Sequence, residues 1–94
     1  MNNEKRFNKA VKEIMNLSNR PDDKTLLLLY SLYKQAKDGD VNGGLPINGG
    51  IPAIAKYRAW KKQNGKSSED AMSEYADLVA ILFERSEKIS NIES

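Results

Sequence analysis

Apolar residues in this chain recur at spacings of three and four, and three clusters of turn-forming residues cut that pattern into four lengths. No other feature restricts the fold more. A buried stripe at helical period cannot be served by a strand, whose side chains alternate between faces. In the first length Phe7, Ala10, Val11, Ile14 and Leu17 share one face of a helix. The stretch "SNRPDD" ends it, since Pro21 cannot continue a helix and Asp22 or Asp23 can cap the next. The second helix is expected from about Asp23 to Lys37, closed by Gly39. A third is expected over about Ile51–Gln63, with Pro52 in its first turn and Ile54, Ala55 and Ala59 inward. "NGK" stops it. Ser67 then caps a fourth helix, with Glu69 and Asp70 where the helix dipole favours anions. Its stripe is Ala71, Tyr75, Leu78, Val79 and Leu82, ending near Ile89, with Ser90–Ser94 expected to fray.

No strand alternation competes with these lengths, so the predicted fold class is all-α, with four helices. The loop 40–50 holds four of the six glycines, and no regular structure is expected in it. About ten residues exceed what a tight antiparallel turn needs. The second helix is therefore free to lie parallel to another helix. A chain of 94 residues fits one domain, residues 1–94, with an ordered core over about 4–88. A domain of this size holds one small core and no deep cavity.

Two absences narrow the function. The chain has no cysteine, which excludes disulfides, thiolate nucleophiles and thiolate metal sites. It has no histidine, which removes the commonest general base near neutral pH and the commonest transition-metal ligand. A binding protein is thereby favoured over an enzyme. The net charge of +2 argues for neither nucleic acid nor a membrane surface, so an anion site must come from local clustering. No apolar run reaches a membrane span, and "MNNEKRFNKA" is too polar for a secretory signal. A cytoplasmic monomer is the expectation.

Three groups of residues can carry chemistry. Tyr30, Tyr33, Lys34 and Lys37 stand at offsets 0, 3, 4 and 7, on one helix face. Rings that stack and cations that meet phosphate suit a nucleotide, while a half-buried seam with snorkelling lysines explains the same spacing. "AKYRAWKKQ" interleaves Lys56, Arg58, Lys61 and Lys62 with Tyr57 and Trp60. That pattern fits nucleic acid, or a solvated basic face with one aromatic anchor. The carboxylates Asp22, Asp23, Asp38, Asp40, Glu69 and Asp70 all sit at helix ends, where capping suffices to explain them. "DGDVNGG" lacks the closing glutamate of a calcium loop, and "NGGLPINGG" lacks the Gly-Lys-Ser/Thr ending of a phosphate loop.

"LYSLYKQAKDGD" followed by "AKYRAWKKQNGKSSEDAMSEY" resembles the acyl-CoA-binding proteins, also called diazepam-binding inhibitors. The resemblance runs from Phe7 to about Lys88. It implies a four-helix bundle in up-down-down-up order, with helices two and three parallel. It implies reversible binding of long-chain acyl-CoA with no catalytic cofactor and no reaction. By that resemblance Tyr30, Tyr33 and Lys34 hold the adenine and ribose phosphate, joined by Lys56 from helix three and Tyr75 from helix four. Trp60 matches a structural tryptophan, and Leu27 falls where the acyl channel is lined. The chemistry agrees: a phosphomonoester carries about −1.5 to −2 charges near neutrality, which Lys34 and Lys56 can meet from two helices.

The chain departs from the pattern at Leu45-Pro46-Ile47, where many members have Arg-Pro-Gly, and at Ile51-Pro52-Ala53-Ile54, where many have Phe-Lys-Gly-Lys. Met15 replaces a lysine late in helix one. Fewer cations then surround the head group, and Ile51 and Ile54 make that end more apolar. Two other functions stay open on the residues: a helical interaction module, and a small nucleic-acid binder using Lys56–Lys62.

Overall fold

The computed structural model describes residues 2–93, with side chains described as far as 87; Met1 and Ser94 lie outside the described residues. Four helices form: α1 (Asn3–Glu13), α2 (Asp23–Asp38), α3 (Gly50–Lys61) and α4 (Ser68–Glu93). Short 3-10 turns follow α1 at Ile14–Asn16 and precede α3 at Ile47–Gly49. No strand occurs among the described residues.

Local chemistry sets most of the helix ends. The Asn2 side chain accepts from the Glu4 N–H and Asp22 from the Thr25 N–H, each satisfying a donor the helix itself leaves free. Ser67 does the same for Asp70 at 3.0 Å, as its place before "SEDAM" predicts. Gly39 closes α2 at φ 79°, a conformation that costs a residue with a Cβ, and its N–H bonds the Gln35 carbonyl. Three boundaries differ from the sequence expectation. The apolar stripe through Ile14 and Leu17 predicts a longer first helix, but the chain tightens to a 3-10 turn after Glu13. The loop expected to lack regular structure contains the turn Ile47–Gly49. Helix α4 continues to Glu93, past the end expected near Ile89.

Side-chain contacts give the directions of packing. Asn3 reaches Glu69, Arg6 reaches Asp77 and Ser18 reaches Ser86, so α1 and α4 run parallel. The Ser68 hydroxyl donates to the Ala36 carbonyl at 2.6 Å, joining the start of α4 to the end of α2; these two are antiparallel. Leu26, Leu27, Ile51 and Pro52 line one cleft at the first turns of α2 and α3, and Trp60 Nε1 donates to the Gly39 carbonyl at their far ends. Hence α2 and α3 are parallel, as the length of loop 40–50 permits, and the order is up-down-down-up.

The core is built from three helices. Phe7 and Ala10 of α1, Leu29, Leu32 and Ala36 of α2, and Ala71, Tyr75, Ala76 and Val79 of α4 are buried together. Helix α3 buries no residue fully. Ile54, Ala55 and Ala59, expected inward, are only half-buried, because α3 packs chiefly on α2 and otherwise meets the 3-10 turn before it and solvent. Polar clamps hold what apolar burial does not. Asp40 accepts from Gln35 Nε2 and from the Gly65 N–H, both at 2.8 Å, tying loop 40–50 to the turn before α4. Tyr57 donates to the Gly43 carbonyl at 3.1 Å. The glycine-rich loop is thereby ordered by packing, against its composition.

Candidate functional site

Helix α2 presents different residues to different neighbours, and this distributes the candidate site. Tyr30 faces α3, where the Lys56 ammonium lies over its ring at 5.3 Å. Two clefts meet at that pair. One, of about 430 Å³, is lined by Leu26, Leu27, Ile51, Pro52 and Ala55 besides Tyr30 and Lys56, and by the ion pair of Arg20 with Asp23. The other, of about 310 Å³, is lined by Val41, Gly44, Pro46 and Trp60 with the same Tyr30 and Lys56. An apolar trough thus runs into a pocket floored by loop backbone, with a ring and a cation at the junction.

Lys34 lies one turn on. Its ammonium stands over the Trp60 ring at 4.9 Å and pairs with Asp38. The Asp38 carboxylate holds Lys34 above the ordinary lysine range, and the phenols of Tyr30 and Tyr33 act in the same direction. This lysine is charged throughout the physiological range. It is also already neutralised by its own helix.

Tyr33 and Tyr75 lie in a different neighbourhood. With Phe7 they form an aromatic cluster where α1, α2 and α4 meet: Phe7 stacks on Tyr33 at 5.9 Å, meets Tyr75 edge-on at 5.2 Å, and the two tyrosines are 6.4 Å apart. Tyr75 is buried, and burial, with Tyr33 close by, pushes its phenol above the usual range. It is neutral at any physiological pH and able to donate.

The structure therefore joins Tyr30, Lys56 and Leu27 at one seam and Tyr33 with Tyr75 at another, and Lys34 touches Trp60 from the first side. Lys37 is exposed. Trp60 does more than anchor α3: its indole N–H ties the helix end to Gly39 while its face holds Lys34. Leu26, which the sequence places on the face of Tyr30, and Pro52, which it marks only as a helix start, also line the trough. Their signal was one helical turn of spacing from Tyr30 and Lys56, at i−4, on neighbouring faces. Met15, at a lysine's place in the resembled pattern, is 85% exposed.

The cations of α3 do not make one stripe. Lys56 and Lys61 lie over Tyr30 and Tyr57, while Arg58 and Lys62 turn to a different groove. A nucleic-acid backbone tracking Lys56–Lys62 would find its charges divided. Among the described residues no cluster of His, Cys, Asp or Glu could hold a metal ion, and no helix is long and apolar enough to cross a membrane.

Comparison with known proteins bears on the family and the fold. A family model described as "Acyl CoA binding protein" matches residues 4–79. The chain is 44% identical over 73 residues to an acyl-CoA-binding protein homolog of Drosophila melanogaster, covering 78% of this chain and 85% of that protein. It is 40% identical over 72 residues to an acyl-CoA-binding protein of Dictyostelium discoideum, covering 77% and 86%. The crystal structure of Oryza sativa acyl-CoA-binding protein 2 superposes with a TM-score of 0.86 at 33% identity, over 93% of this chain and 97% of that one. A family match over most of its length, on four helices packed as in the rice structure, means that the chain belongs to the acyl-CoA-binding protein family.

Proposed function

We propose that this protein binds long-chain acyl-CoA thioesters reversibly and serves as an intracellular carrier and pool former in lipid metabolism, without carrying out a reaction on them. The observation that carries the reading is the pairing of Tyr30 with Lys56 across the α2–α3 seam, where an apolar trough of about 430 Å³ opens beside a ring and a cation. An amphiphile with a long apolar tail and a phosphorylated nucleoside head matches both halves. The tail would lie along Leu27, Leu26, Ile51 and Pro52. Tyr30, Tyr33, Lys34, Lys56 and Tyr75 would hold the head group, a set that rests on the family resemblance. A chain of 94 residues acting as one monomeric domain in the cytoplasm fits this role, with transient delivery to membranes or lipid enzymes.

Calorimetry with palmitoyl-CoA tests the reading. One-to-one binding is expected, weakened by Lys56→Ala or Tyr33→Ala with the helical circular dichroism retained. Folded protein that binds no palmitoyl-CoA overturns it.

A further inference from the structure

The α2–α3 seam opens on both sides. Leu27 and Ala55 line the trough just described, and they also line a second groove of about 430 Å³. Its apolar lining is Leu27, Leu28, Ala55 and Ala59, joined by the polar Thr25, Ser31 and Gln63. Its origin is steric: α3 turns alanines toward the leucines of α2, and methyl groups do not fill the space between two helix axes. Leu28 consequently remains 42% exposed.

The rim of this groove is charged with one sign. Lys24, Arg58 and Lys62 line it, and no carboxylate does. The ion pairs of the described residues engage Arg6, Arg20, Lys34 and Lys66, and none of these three. Lys24 has Asp22 for a charged neighbour, but that carboxylate is committed to capping the Thr25 N–H. Arg58 and Lys62, two cations without an ion-pair partner among the described residues, and Lys24, beside the Asp22 carboxylate, leave the rim net positive around an apolar trough, complementary to a molecule with a negative head and a hydrocarbon chain. No aromatic residue lines the groove, so it offers no platform on which a nucleobase would stack.

We propose that this groove is a second ligand site, taking a single-chain anionic amphiphile of the fatty-acid class, with its carboxylate among Lys24, Arg58 and Lys62 and its chain on Leu28 and Ala59. The site lies behind the Leu27–Ala55 wall and uses none of Tyr30, Lys34 or Lys56, so it stands whether or not acyl-CoA occupies the first trough.

The test is a titration of isotope-labelled protein with monomeric laurate, followed by amide chemical shifts. Saturable shifts at Leu28, Ala59 and Lys62 are expected, and these persist in Lys56→Ala. The double variant Arg58→Glu/Lys62→Glu should bind laurate about tenfold more weakly, the order of effect of two rim charges, with affinity for palmitoyl-CoA unchanged. Ala59→Leu, which fills the floor, should abolish the laurate shifts. Dodecyltrimethylammonium, with the same tail and opposite charge, should leave these amides unmoved. Shifts confined to Tyr30, Ile51 and Lys56 would overturn the proposal, as would equal binding of the cationic amphiphile. Shifts that appear only with anionic vesicles and never with monomeric laurate would also overturn it, in favour of a bilayer contact.

Discussion

Lys34 illustrates how a single residue is poised rather than simply placed. Its ammonium pairs with Asp38 and lies on Trp60, so a phosphate held there, as proposed, would compete with a carboxylate one turn away. Asp38→Asn should therefore tighten acyl-CoA binding by about two- to fivefold, the value of one exposed ion pair, as read by calorimetry. Unchanged or weaker binding would show that Lys34 does not reach the ligand. Asp40 acts on stability instead. Bonds from Gly65 N–H and Gln35 hold its carboxyl below the usual carboxylate range. Its contribution is present above the unfolded-state value of about 4 and is lost as pH falls through the lower folded value. Asp40→Asn should thus lower the Tm at neutral pH, and its Tm should change less than that of the wild type between neutrality and strong acid. In the core, Leu32 is 2% exposed, and Leu32→Ala should cost about 2–5 kcal/mol in urea unfolding.

At the scale of elements, α3 is the one helix that contributes no buried residue to the core. It is held by α2, by Trp60 to Gly39 and by Tyr57 to Gly43. Amide hydrogen exchange should therefore be fastest in α3 among the helices in the free protein, because opening it exposes little apolar surface. Saturation with palmitoyl-CoA should slow exchange in α3 more than in α1, since a tail in the trough supplies the contacts this helix lacks. Equal protection of all four helices before ligand is added would refute this. The caps belong to this scale too: Ser67→Ala removes the acceptor for Asp70 N–H and should cost about 1 kcal/mol.

Across the whole molecule, the unfilled α2–α3 seam leaves a small bundle with an open trough, the place proposed for the acyl tail. Each methylene buried in the trough is worth about 0.8 kcal/mol, which caps the gain at roughly fourfold in affinity per carbon. A titration across acyl lengths should show affinity rising up to the length the trough can cover and then levelling. A flat response from short to long chains would mean that the tail does not enter it. Much of this was legible beforehand. Helical period, the caps at Asp22 and Ser67 and the stop at Gly39 are local, governed by backbone groups within one turn, and the sequence by itself determined them. The Tyr-x-x-Tyr-Lys spacing likewise placed three candidate residues on α2. Tertiary structure decided what no local rule can express. It divided that stripe between two neighbourhoods, Tyr30 to α3 and Tyr33 to Phe7 and Tyr75, because adjacent positions on one helix meet different partners. It ordered the glycine-rich loop through Asp40, Tyr57 and Trp60, whose bonds span 14 to 25 residues of chain. And it left α3 half-buried although its apolar residues resemble a core stripe, since a helix buries a face only where another element arrives to cover it.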